Sequence, residues 1–155
     1  MTYRCQPSAC STCPYRRATP PGVWHYDEYE KLRAWDAPTW DQPRGVFLCH
    51  VGDHDDAADS HVLCRGWVAV HGADALGLRL AAAAGTLDDG VAAAVGTDAA
   101  DYYGSGNEAA DAGQAGIEAP LAEARYAIEK VRRVRARQGS TRPVTGPPGL
   151  YHPTP

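Results

Sequence analysis

Four cysteines constrain this chain more than any other feature: the pair in Cys10-Ser11-Thr12-Cys13, then Cys49 and Cys64 inside short apolar runs far along the sequence. A Cys-x-x-Cys turn presents two thiolates to one point, at a spacing that suits a single metal ion bonded at about 2.3 Å. Cys49 and Cys64 are separated by 14 residues, enough for the chain to go out and return so that both meet the first pair. Residues 1–22 are rich in Pro, Cys and Arg and lack periodicity, so they need something other than a core of their own to order them. A four-thiolate site made by Cys10, Cys13, Cys49 and Cys64 supplies it, because metal binding in small zinc modules is worth about 10–16 kcal/mol of apparent folding free energy.

The alternatives are buried cysteines without a ligand and a redox or disulfide pair. Thioredoxin-like chemistry sets its Cys-x-x-Cys between a buried strand and a helix, whereas Cys10 follows polar, Pro-containing sequence and no helical pattern starts at Pro14. Cys5 is the odd cysteine, expected as a free thiol that could exchange with Cys10. Zn2+ is the favoured occupant, with a 4Fe-4S cluster as the alternative, since both accept four thiolates and Pro14 directly after Cys13 echoes a ferredoxin ending. His50 and His71 are candidate substitute ligands or hydrogen-bonding neighbours of the site. If residues 46–51 form a strand, Cys49 and His50 point to opposite faces and do not bind one ion together. His54 and His61, set among Asp53, Asp55, Asp56 and Asp59, could imitate a second metal site, but an acidic solvated loop explains them.

The chain has 155 residues, a length suited to one domain, expected over residues 1–138 with a flexible Pro-rich tail over 139–155. The expected class is α+β, a small and mostly helical domain with a short β element and a cysteine metal knuckle. The run at 46–51 is the strand candidate. Helices are expected at 27–35, at 75–84 with Asp74 as N-cap, at 91–95 capped by Asp88 or Asp89, after the capping box of Ser105 and Glu108, and at 120–138. In the last of these Leu121, Ala124, Ile128 and Val131 form one apolar stripe. No apolar run approaches the length of a membrane span. Met1 is not followed by a secretory leader, so a cytoplasmic, reducing location is expected, with no membrane partner.

The formal net charge of −4 hides an uneven distribution. Residues 1–117 carry 8 basic and 16 acidic side chains, and residues 118–155 carry 7 and 3. A basic C-terminal helix could touch nucleic acid, although most such helices are simply solvated. Arg16 and Arg17, with Tyr15 and Trp24 close in sequence, are a candidate basic and aromatic contact for nucleic acid or a protein partner.

The segments Cys10-Ser11-Thr12-Cys13-Pro14-Tyr15-Arg16-Arg17, Gly22-Val23-Trp24-His25, Phe47-Leu48-Cys49-His50 and Leu63-Cys64-Arg65-Gly66-Trp67-Val68 together resemble an uncharacterised family of small proteins from actinobacteriophages and actinobacteria. The resemblance covers most of residues 5–137. It implies an intracellular protein of phage or actinobacterial origin and a shared cysteine site, and it carries no activity. Val70 stands before His71 where the resemblance leads one to expect a further cysteine, which makes the four named cysteines the safer set. Gly22-Val23-Trp24 also echoes the WhiB-like iron-sulfur regulators, but those order their cysteines differently.

The leading expectation is a small intracellular metal-binding protein with a structural four-cysteine site, acting as an interaction module for an unknown protein or nucleic acid. An iron-sulfur redox enzyme, a zinc-dependent enzyme and a nucleic-acid-binding regulator are the alternatives. Four thiolates close the shell of a zinc ion, which argues against catalysis, because catalytic zinc keeps a position open.

Overall fold

The computed structural model describes residues 1–50, 60–137, 139 and 144–145. Among these residues the chain forms a small α+β domain with six α-helices and one two-stranded parallel sheet. Strand β1 (Thr2–Cys5) pairs with β2 (Ser60–Leu63), with Thr2 opposite Ser60 and Cys5 opposite Leu63. Two further extended segments flank this pair. On the β1 side Tyr3 donates its N–H to the Thr86 carbonyl at 2.7 Å and accepts from the Asp88 N–H at 2.9 Å. On the β2 side the Cys49 N–H reaches the Val62 carbonyl at 2.8 Å and the Cys64 N–H reaches the Phe47 carbonyl at 2.9 Å.

The β element therefore differs from its expected place. Residues 46–50 do not form a strand; they make a single antiparallel bridge, Leu48 to Leu63, on the edge of β2. The apolar run signalled burial, and the ladder hydrogen bonds that define a strand went to the return segment instead. Val51, and the acidic loop with Asp53, His54, Asp55, Asp56 and Asp59, lie outside the described residues.

Helix α1 (Tyr26–Arg33) starts where the acids Asp27 and Glu28 meet the positive helix end, with His25 as N-cap, and continues into a 3-10 turn, Ala34–Asp36. It buries Tyr29 and Leu32, and Trp35 follows on the same side. Helix α2 (Arg65–His71) leaves β2 directly through Cys64. Helix α3 (Leu76–Ala83) has Ala75 rather than Asp74 at its N-cap, because Asp74 is taken up in a preceding 3-10 turn, Gly72–Asp74. Helix α4 (Asp89–Ala94) is capped by Asp88, whose carboxylate accepts the Gly90 N–H at 2.8 Å. In α5 (Gly106–Gln114), Ser105 Oγ accepts the Glu108 N–H at 3.1 Å. Helix α6 (Ala122–Arg137) buries Ala124, Ala127, Ile128 and Val131, while Leu121 stays outside the helix and exposed.

The core gathers around Trp67, Tyr15, Leu32, Leu63 and Val68, none of them more than marginally accessible. The Trp67 indole meets Trp35 edge-on, with ring centroids 4.8 Å apart. Helix α1 packs on α5 at Gly113, where a Cβ would run into the Tyr29 ring; the missing side chain lets the two backbones approach. Of the expected tail, Val144 is buried and Thr145 donates its hydroxyl to the Gly22 carbonyl at 2.9 Å. No described helix is long and apolar enough to cross a membrane.

Candidate metal centre

The Cys-x-x-Cys segment is a hydrogen-bonded turn. The Cys13 N–H reaches the Cys10 carbonyl and the Arg16 N–H reaches the Cys13 carbonyl, both at 3.1 Å. Two side chains hold the turn from outside. Thr19 Oγ1 donates to the Cys13 carbonyl at 2.7 Å, and the buried Trp24 indole N–H donates to the Thr12 carbonyl at 2.9 Å. A segment with no apolar periodicity is thus fixed by backbone bonds and two anchors.

The distant cysteines come to this turn on the two segments flanking Leu63. Cys64 Sγ stands 3.7 Å from Cys13 Sγ. Cys10, Cys49 and His50 form a group whose ligand atoms all lie within 4.8 Å of one another and could hold a metal ion. The Cys10 and Cys49 thiols are hydrogen-bonded, and Cys13 and Cys49 are close enough to interact electrostatically. Cys13, Cys49 and Cys64 are buried and Cys10 is half-buried; all five cysteines of the chain are free thiols.

Electrostatics make this cluster unlike four independent thiols. The hydrogen bond to Cys49, together with burial, pushes Cys10 well above the usual thiol range. The bond between Cys13 and Cys64 lowers Cys13 and, with burial, raises Cys64. Backbone N–H groups act in the opposite sense: those of Thr12 at Cys10, of Tyr15 and Gly66 at Cys13, and of Trp67 at Cys64 favour the ionised sulfur. Donors are therefore aimed at sulfurs that cannot all ionise side by side without a positive charge among them.

His50 belongs to this neighbourhood, contrary to the strand-based expectation. Its Nε2 lies 2.7 Å from Thr12 Oγ1 and 3.9 Å from Cys10 Sγ, and its ring meets Trp24 edge-on at 4.4 Å. The chain turns at His50, so the alternation of faces along a strand does not apply there. His71 lies elsewhere. Its Nε2 is 3.1 Å from the Tyr15 hydroxyl and its Nδ1 is 3.8 Å from Asp36 Oδ1, at the wall of a separate cleft of about 550 Å³. Cys5 sits on β1 and is not in the described Cys-Cys-His group, and His61 packs beside Tyr3.

Arg16 and Arg17 lie against Tyr102 and Tyr103. Arg17 Nε donates to the Tyr102 carbonyl at 2.8 Å and its guanidinium lies 5.0 Å from the centre of the Tyr103 ring, while Arg16 is half-buried in a bridge to Tyr102. Tyr15 and Trp24 are interior. The expected basic and aromatic patch is therefore without its exposed aromatics. Sequence reasoning missed the Thr12–His50 contact, the Trp24 anchor and the Gly66 amide. Only the last left a signal, the glycine two residues after Cys64.

No curated protein and no solved structure matches the chain. A family model described as a family of unknown function, DUF6283, matches residues 4–135. That span carries all five cysteines, every helix from α1 to α5 and nearly all of α6. With a match over most of its length, the chain belongs to the DUF6283 family of unknown function.

Proposed function

We propose that Cys10, Cys13, Cys49 and Cys64 hold one zinc ion whose role is structural, and that the domain they pin together is a noncatalytic interaction module. The observation that carries this reading is the 3.7 Å separation of the Cys13 and Cys64 sulfurs. Tetrahedral ligands bonded at about 2.3 Å stand about 3.8 Å from each other, the edge of a mononuclear zinc-thiolate shell. A 4Fe-4S cluster attaches each cysteine to a different iron, which spreads the sulfurs over the corners of a larger cage. The backbone donors directed at Cys10, Cys13 and Cys64 suit thiolates of either centre.

The sulfurs stand as two neighbouring sets, Cys13 with Cys64 and Cys10 with Cys49, and in this reading His50, beside the second set, supports the shell without entering it. The short contact of its Nε2 with Thr12 orients the ring beside Cys10, as residues around a metal commonly orient its ligands. Four thiolates leave no position for water or substrate, so the site stabilises the fold and the exposed surface does the work. The nucleic-acid reading keeps one supporting observation: α6 carries six basic residues against two acidic ones, with Tyr126 exposed on it. Affinity for nucleic acid that stays constant from low to moderate salt removes that reading, because phosphate contacts release counterions.

Metal analysis of anaerobically purified protein tests the main reading. One zinc per chain, with colourless protein, supports it. A brown protein with absorbance near ~400 nm that bleaches on reduction replaces zinc with an iron-sulfur cluster.

A further inference from the structure

We propose that Cys10 is a modification site for small hydroperoxides, oxidised first of the four thiols and then joined to Cys49 in a disulfide that opens the metal shell. This rests on the four-thiolate reading above and adds an order of reaction to it. Cys13, Cys49 and Cys64 are 1%, 2% and 4% exposed, whereas Cys10 is half-buried and opens onto a cavity of about 190 Å³. Thr12, His50, Lys130 and Val134 also line that cavity. The cavity has room for a small hydroperoxide, a molecule not much larger than water, beside the Cys10 sulfur. The geometry thus selects the sulfur.

In the first step the Cys10 thiolate attacks the peroxide oxygen: an S–O bond forms, the O–O bond breaks, and the far oxygen leaves as hydroxide and takes a proton. The Lys130 ammonium, held at the cavity wall by Ser11 Oγ at 3.0 Å, supplies positive charge to that leaving group. In the second step the Cys49 thiolate, within 4.8 Å of Cys10 Sγ, attacks the Cys10 sulfenic acid. The S–S bond forms, the S–O bond breaks and a second hydroxide leaves as water. Two thiolates, one hydrogen peroxide and two protons give one disulfide and two waters; an organic hydroperoxide gives an alcohol in place of one water. Cys13 and Cys64 remain reduced, two ligands too few to retain a structural zinc.

The test treats metal-loaded, full-length protein with hydrogen peroxide, follows zinc release with a chelating dye and maps the thiols by peptide mass spectrometry. Expected are a dimedone adduct on Cys10, a first disulfide joining Cys10 to Cys49, and zinc release in step with it. Val134→Phe, which narrows the cavity, slows this loss several-fold at unchanged zinc content. A protein that takes up no metal before oxidation overturns the reading on which this inference rests. A loaded protein whose first disulfide joins Cys13 to Cys64, or involves Cys5, overturns this inference alone.

Discussion

Gly66 lies so close to Cys13 that a Cβ on it would stand 2.6 Å from the Cys13 sulfur and 2.8 Å from the Tyr15 Cβ. The backbone of the first turn of α2 thus lies directly against side chains of the cysteine knuckle, with the Gly66 N–H directed at the same sulfur. Gly66→Ala forces the two apart. Overpacking of this kind costs about 1–3 kcal/mol, and here it also displaces a thiolate donor. The expected outcome is a lower urea midpoint together with weaker zinc retention in a chelator competition. An alanine variant as stable as the parent would mean that the knuckle is free to shift.

Removal of the metal is expected to unfold the N-terminal third of the domain rather than silence an otherwise intact protein. Residues 6–22 contain no helix or strand, so beyond its turn bonds and the Thr19 and Trp24 anchors the knuckle is expected to rely on the proposed metal shell. Cys64→Ala deletes one proposed ligand and leaves Cys13 without its partner at 3.7 Å. Near-ultraviolet circular dichroism checks this through Trp24 and Trp67, both buried close to the sulfurs. Their signal collapses in the variant and in chelator-treated protein, and returns to the wild type when zinc is restored.

His50→Ala and Cys49→Ala separate the supporting donor from the ligand. Loss of a residue that orients a ligand typically weakens metal binding by about 10–100-fold, so His50→Ala still binds one zinc at micromolar protein. Cys49→Ala does not. Zinc stoichiometry after gel filtration reads both, and equal loss in the two variants would move His50 into the shell.

His71 gives the fold a dependence on pH that is independent of the metal ligands. Burial holds its imidazole below the ordinary value of 6.5, against the opposing charges of Asp36 and Asp74. The unfolded chain therefore binds more protons than the native one below pH 6.5. The stability from keeping His71 neutral is fully present above the unfolded value and is lost as the pH falls from there through the folded value. Urea midpoints at pH 7.5 and pH 6 are expected to differ more for wild type than for His71→Asn, with zinc content measured in parallel.

Local chemistry made several elements legible in the sequence. The Asp88 and Ser105 caps, the acidic start of α1 and the buried stripe of α6 all depend on neighbours within one or two turns. Leu121 did not join its stripe because it precedes α6, and periodicity alone does not locate a helix start. The run at 46–50 was legible as apolar but not as to partner, since an edge bridge and a strand share the same residues. The same error hid His50: once the segment is a turn, its ring goes to Thr12 beside Cys49 rather than to the opposite face.

By itself the amino-acid order determined the class of the fold and the helices with their own caps, and it pointed to the four cysteines that the proposed site uses. Only the tertiary structure decided that Cys64 meets Cys13, that His50 accompanies Cys10 and Cys49, and that Tyr15 and Trp24 turn inward. The reason is that caps and periodicity act over a few residues, whereas each of these approaches closes a loop of tens of residues and is held by the packing and backbone bonds at its ends.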